Sequence, residues 1–385
     1  MTARFLHWTT LATAIFLMGG CSEKPQNNGS NIVRIGQVSP LTGPQAHLGR
    51  DNDNGARLAL DEINTQGLTI GGKKITLELK SEDDGADPKT ATTVAQKLVD
   101  EGVVGVIGHL NSGATIPASK IYSDNGIPQI SPSATAVAYT AAGYKTAYRL
   151  MTNDAQQGSV LGNYAVTKLG AKKIAIIDDR TAYGQGLADE VEKAVKASGG
   201  EVVAREYTSD RATDFMAILT SIKGRAPDLV FFGGMDPQAA PMLKQMKQLG
   251  INAKFLGGDG AQTPQFIALA GADAEGALAS NPGLPLDTMP GGTAFKSKFE
   301  AKYGKIQNYS PYAYDAVYVM VEAMKRANST EPAKYLAELP KTDYQGVTGH
   351  IRFDTKGDIT GGAVTVYQVK NGEWVTLETV QSGGK

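Results

Sequence analysis

The sequence predicts an α/β protein of two lobes, each built on a doubly wound parallel sheet. Three observations carry this expectation. At 385 residues the chain exceeds what one hydrophobic core usually spans. From Ile32 onward, short β-rich runs alternate with amphipathic helical stretches, the pattern of parallel strands joined by right-handed crossovers. One of those runs, "VVGVIGH", is apolar without alternation, as expected of a strand covered on both faces. Apolar residues make up 41% and charged residues 20%, so the chain can bury a real core. Lys+Arg 38 against Asp+Glu 39 leaves a net charge of −1 with no basic block, which argues against nucleic acid as a partner.

The first twenty residues stand apart: Arg4 and no acid, then the apolar stretch "TTLATAIFLM", then Gly19 and Gly20. This is the layout of a signal peptide, residues 1–20, and its apolar run is shorter than the roughly 20 residues a permanent membrane span requires. Cys21, the only cysteine, follows at once, and "SEKPQNNGS" reads as a polar, flexible tether over 21–31.

The expected elements then run in order. "IVRIGQVSPL" is a strand, "NGARLALDEINTQG" a helix ended by Gly67, and "KKITLELKSEDD" a strand. "DPKTATTVAQKLVDEG" carries its own start signal, with Asp87 as N-cap and Pro88 at the first helical position, and stops at Gly102. "VVGVIGH", a helix around "ATIPASKIYSDNG" and the strand "IPQISPSAT" complete the first series. A second series starts near Asp154: helix "AQQGSVLGNYAVTKLG", strand "KKIAIIDD", helix "GQGLADEVEKAVKASGG", strand "EVVAREYT" and helix "DFMAILTSIKG". Strand "DLVFFGGM", helix "PQAAPMLKQMKQLG", strand "AKFLGGDG", helix "PQFIALAG" and strand "EGALASN" continue it. From Thr293 two adjacent helices, "TAFKSKFEAKYG" and "SPYAYDAVYVMVEAMKRA", return to cover the first lobe. The strand "HIRFDTKGD" follows, and then a hairpin whose Asn371-Gly372 signals a type I′ turn.

Enzymatic constellations are scarce. The histidines, His7, His47, His109 and His350, lack metal-ligand spacing, and no metal site is expected. There is no G-x-S-x-G elbow and no Walker loop. "GQGLAD" is only a partial dinucleotide fingerprint, so a dinucleotide-dependent enzyme is the weaker rival, and no cofactor is expected. What stands out sits where strands meet helices, the place where open α/β sheets bind ligands. "IGHLNSGAT" and "ISPSAT" put Ser112 and Thr135 beside helix N-termini or turns, where backbone N–H groups and the helix dipole favour a carboxylate. "GGMDP" and "GGDGA" close the other lobe, and Asp259 there could hold a cation. Together these groups suit a zwitterion.

The order "GHLNSGATIPASKIY", "ISPSAT", "YRLM…D…Q", "IAIIDDRTAYGQGLA", "DLVFFGG", "FLGGDG" and "AGADAEGAL" resembles the leucine/isoleucine/valine-binding proteins, the type I solute receptors of branched-chain amino acid ABC importers. The likeness runs from Ile32 to about Val380. It implies three crossovers between the lobes, near residues 153, 282 and 361, and hence lobe 1 over 32–153 plus 283–361 and lobe 2 over 154–282 plus 362–385. It implies a ligand in the cleft, with Ser112 and Thr135 on its α-carboxylate, and Ser133, through its carbonyl, and Asp259 on its α-ammonium. Ala134 belongs to the same binding turn, Tyr183 closes over the ligand from lobe 2, and Leu48, Met235 and Tyr312 form the side-chain pocket. Asp259 is one methylene shorter than the glutamate common in the family, and Leu48 and Met235 stand where many members have aromatics. Ala86 and Asn111 replace the paired cysteines of some members.

The small residues before Cys21 resemble a bacterial lipobox, although Met18 replaces its usual leucine. They imply lipidation of Cys21 and an extracytoplasmic protein anchored to a membrane. The family resemblance implies a branched-chain amino acid and an ABC permease as partners, and a monomer is expected. A same-fold sensor or receptor for amides or other small amino acids is the alternative. Plainer readings make Ser112 an N-cap, Tyr183 a lobe-surface aromatic and Asp259 a turn residue.

Overall fold

The structure, a computed structural model, describes residues 1–2 and 31–381. Cys21, the tether from residue 21 to 30 and nearly all of the leader lie outside the described residues. Two large sheets define two lobes. The first comprises β1 (Asn31–Ser39), β2 (Leu68–Ile70), β3 (Lys73–Asp83), β4 (Gly105–Gly108), β5 (Gln129–Ser131) and β6 (Ala147–Arg149), in the order β2-β3-β1-β4-β5-β6. All neighbours pair parallel except β2 with β3.

The second sheet comprises β7 (Lys173–Asp178), β8 (Glu201–Tyr207), β9 (Leu229–Gly233), β10 (Lys254–Gly257) and β11 (Leu278–Pro282). A two-residue pair, β12 (Tyr344–Gln345) and β13 (His350–Ile351), stands apart from both sheets. The second sheet ends in β14 (Ala363–Lys370) and β15 (Glu373–Gln381), giving the order β15-β14-β11-β10-β9-β7-β8. The chain therefore passes between sheets three times: after β6, after β11, and again before β14. Strand order reverses at β1/β4 in one sheet and at β7/β9 in the other, so each lobe opens a crevice at the carboxyl ends of these strands.

The central strands are apolar because helices cover both faces. Every residue of β4 and of β9 is buried. The helix Pro88–Asp100 begins as its sequence dictates: the Asp87 carboxylate accepts from the Thr90 amide at 2.7 Å, and Pro88 takes a first-turn position that has no N–H to satisfy. The hairpin between β14 and β15 turns through Asn371 at φ 54° and Gly372 at φ 76°, the two left-handed residues of a type I′ turn.

The helix Ser310–Ala327 packs against the helix Ala46–Gln66 of the first lobe. Asp51 on the latter accepts hydrogen bonds from the amides of Gln307, Asn308, Tyr309 and Ser310 at 2.8 to 3.0 Å, satisfying a helix start with a carboxylate. A Cβ on Gly55 would lie 2.3 Å from the Ser310 carbonyl oxygen, so only glycine permits this approach.

Several elements differ from expectation. The first helix begins at Ala46 rather than near Asn54, because "AHLGRDND" has no amphipathic pattern of its own. Its polar residues serve tertiary contacts such as that of Asp51. "IPQISPSAT" forms a strand only over Gln129–Ser131, since Ser131 turns its hydroxyl to the amide of Ala134 and starts a loop. In "HIRFDTKGD" only His350 and Ile351 are a strand; Phe353 bridges Ile359 singly, around a turn in which Asp354 accepts from the amides of Lys356 and Asp358. Several short elements, among them β2, the helix Ala138–Ala141, β6, the helix Pro332–Tyr335 and β12, were not expected from the sequence at all.

Candidate ligand-binding cleft

From the first lobe, the helix Ser112–Asp124 follows β4 and points its N-terminus into the cleft. Its N-cap is Asn111, so Ser112 occupies the first turn, where amides have no intrahelical acceptor and the dipole is positive. The Ser112 hydroxyl accepts from the Ala136 amide at 3.1 Å, which ties the helix start to the loop after β5. In that loop Ser133 donates to the Leu110 carbonyl and accepts from Asn52 Nδ2, each at 3.2 Å. Both backbone groups of Ala134 are occupied: its amide by Ser131 Oγ, its carbonyl by Arg149. Arg149, fully buried, also donates to the Ala136 carbonyl, Thr140 and Asp358, and so sets the shape of the loop from below. Thr135 is buried with its hydroxyl unpartnered.

From the second lobe, Asp259 begins the short turn Asp259–Ala261 after β10. It is buried, and three neutral side chains donate to its carboxylate: Gln157 at 3.0 Å, Tyr183 at 2.9 Å and Tyr309 at 2.7 Å. Tyr309 belongs to the helix start held by Asp51, so this contact crosses the cleft. Burial raises the Asp259 pKa above the ordinary aspartate value, and the three donors offset part of that rise. No ion pair reaches Asp259 among the described residues. The flanking glycines are steric necessities: a Cβ on Gly258 would lie 2.5 Å from the Tyr183 hydroxyl, and one on Gly260 would lie 2.5 Å from the Met235 sulfur.

These two surfaces close on a narrow gap with room for water-sized groups of only about 10 Å³. Its lining includes Ser112, Ser133, Tyr183, Met235 and Asp259 of the expected residues, together with Leu110, Asn111 and Tyr309. Leu48 is buried in the adjoining hydrophobic cluster that also contains Tyr183, Met235 and Tyr309. Tyr312 donates to the Pro282 carbonyl at 3.0 Å, on the crossover after β11. Tyr309, three residues earlier, is the aromatic of that helix start that lines the space. Tyr183 is 6% exposed, which removes the lobe-surface reading.

Sequence reasoning assigned no site role to Tyr309, Gln157 or Asp154, although Asp154 falls within the motif "YRLM…D…Q". The signal for Tyr309 was the Ser310-Pro311 helix start, which fixes the residue before it at a helix N-terminus. Asp154 starts the helix Asp154–Thr167, and both of its carboxylate oxygens are buried without a hydrogen-bond partner. Burial pushes its pKa up to about 8, and the negative charge of Asp259 adds to the rise. Asp154 is thus favoured as the neutral acid at neutral pH, and Asp259 is the carboxylate that lines the space.

Among the described residues, no cluster of three or more His, Cys, Asp or Glu side chains could hold a metal ion. Residues 32–373 match the periplasmic binding protein family. The chain belongs to that family. This binding protein is 35% identical over 345 residues to a leucine-, isoleucine-, valine-, threonine- and alanine-binding protein of Pseudomonas aeruginosa, covering 88% of this chain and 90% of the relative. It is 36% identical over 343 residues to a Leu/Ile/Val-binding protein homologue of Brucella abortus, covering 88% and 91%. Among solved structures, the leucine-binding protein LivK of Thermotoga maritima superposes with a TM-score of 0.85 at 29% identity, over 91% of this chain and 99% of that one. The branched-chain amino acid transporter substrate-binding protein LivJ of Streptococcus pneumoniae, in complex with isoleucine, gives 0.83 at 30% identity, over 91% and 100%. The resemblance read from the sequence motifs is thus borne out, as is the two-lobed α/β fold.

Proposed function

We propose that this binding protein captures a branched-chain amino acid, leucine, isoleucine or valine, in the cleft between its lobes and delivers it to an ABC permease. The observation that carries the reading is Asp259: a buried carboxylate reached by donors from both lobes, facing a helix N-terminus across a narrow gap. A zwitterion satisfies both ends at once. Its carboxylate takes the amides at Ser112 and the hydroxyls of Ser112 and Thr135; its ammonium takes Asp259 and the Ser133 carbonyl. Leu48, Met235 and Tyr309 present apolar surface to the side chain, worth ~25 cal/mol per Å² buried.

The reaction is capture without chemistry, in which lobe closure completes the site. We assign lobe 1 to 32–153 plus 283–361 and lobe 2 to 154–282 plus 362–385, with the hinge at their three junctions. Lipidation at Cys21 would anchor a monomer outside the cytoplasm; two acyl chains bury enough methylenes, each worth ~0.8 kcal/mol, for stable attachment. The relatives named for binding Leu, Ile and Val, and the LivJ complex with isoleucine, support this ligand class. Isothermal titration of the purified protein with leucine, isoleucine, valine and their amides tests it. Binding of the free amino acids and rejection of the amides, which lack the carboxylate charge, is the expected result.

A further inference from the structure

One contact across the cleft plays no part in holding a zwitterion. His47, in the first turn of the helix Ala46–Gln66, places Nε2 2.7 Å from Oδ2 of Asp236, the first residue of the helix Asp236–Gln248. The two residues are 189 positions apart and lie on opposite lobes. Among the described residues, every other ion pair stays within one lobe.

We propose that His47 and Asp236 form a clasp that holds the closed cleft and sets how long the captured solute stays. Each partner adjoins the site: Met235, which precedes Asp236, lines the space, and Leu48, which follows His47, is buried in the adjoining cluster. Asp236 is held rigidly for the purpose. Its Oδ2 also accepts from Thr263 Oγ1 at 2.6 Å, and the Thr263 carbonyl accepts from Trp374 Nε1 at 2.9 Å. Its other oxygen is buried without a partner, and among the described residues no Lys or Arg pairs with it. The His47 side chain is 19% exposed and that of Asp236 is fully buried, a part-shielded setting where a charge-assisted bond is worth more than on an open surface. The imidazole N–H donates whether the ring is neutral or protonated. Because the two residues sit on different lobes, opening the cleft must break the bond, whereas the first encounter of solute with an open cleft does not need it.

The clasp therefore acts on dissociation rather than association, and it rests on the reading of the cleft as an amino-acid site. Trp374, the only tryptophan after the leader, is coupled to Asp236 through Thr263 and is a natural fluorescent reporter. Stopped-flow measurement of leucine binding in the wild type, His47→Ala, Asp236→Asn and the double variant tests the proposal. Each single variant should release leucine roughly tenfold faster, with an association rate changed less than about twofold, as for loss of one part-buried pair across an interface. The double variant should release it no faster than the faster single. Unchanged release in His47→Ala, or fully additive effects in the double variant, would overturn the clasp.

X-ray scattering without added solute judges it independently of leucine. Both single variants should be more expanded than the wild type, and equal radii of gyration in all four proteins would overturn it. A wild type that binds no leucine would refute the reading of the site, while the scattering comparison would still decide the clasp.

Discussion

At the scale of single residues, the account turns on carboxylates buried at the ends of strands. Replacing Asp259 by alanine leaves a ligand ammonium buried without its counter-charge, and calorimetry should find leucine affinity reduced by roughly 3–5 kcal/mol. Tyr309→Phe removes one donor to that carboxylate but keeps the ring. The expected loss in the same titration is about 1–2 kcal/mol, that of a single hydrogen bond to a charged group. Asp154 makes a different kind of prediction. Its folded pKa of about 8 lies above the ordinary value of 3.8, so the folded state keeps a proton that the unfolded chain has lost. Stability from this group is fully present below the ordinary value and is lost as pH rises through the folded one. Asp179 and Asp315, pushed up to about 6 chiefly by burial, act in the same sense over a narrower window. Thermal melts of Asp154→Asn against the wild type should therefore diverge in the variant's favour between about pH 4 and pH 8. Parallel curves would show that Asp154 is charged throughout.

At the scale of elements, glycines and caps decide where side chains land. Gly55→Ala would drive a methyl into the Ser310 carbonyl at the crossing of two helices. Overpacking of this kind costs about 1–3 kcal/mol and should lower the melting temperature by several degrees in a thermal scan. The strand and helix alternation was legible because its signals are local: Asp87-Pro88, Asn371-Gly372 and the unbroken apolar run of β4 each fix one element. Ser112 and Asp259 were legible for the same reason, since each sits at a strand end marked by small residues. Tyr309 and Gln157 were not. Tyr309 reaches Asp259 only because Asp51, more than 250 residues away in sequence, holds its amide. Gln157 looks like any polar residue of a helix until the fold turns it toward Asp259 and Ser280. The early start of the helix Ala46–Gln66 was hidden similarly, its first turns being stabilised by contacts with another helix rather than by a pattern of their own.

At the scale of the whole molecule, two sheets joined by three crossovers place the carboxyl ends of β4 and β5 opposite those of β7, β9 and β10. The helix start at Ser112 belongs to one sheet and Asp259 to the other, so under the proposed function affinity for a zwitterion is a property of the closed pair. The closed form should accordingly gain population as leucine is added, with a fall in radius of gyration that saturates at the same concentration as the heat of binding. The most direct measurement of the central claim is a crystal structure of the protein grown with leucine. The account predicts the ligand between the lobes, its ammonium within about 3 Å of the Asp259 carboxylate and its carboxylate at the start of the helix Ser112–Asp124. Leucine bound in the reverse orientation, or outside the cleft, would contradict it.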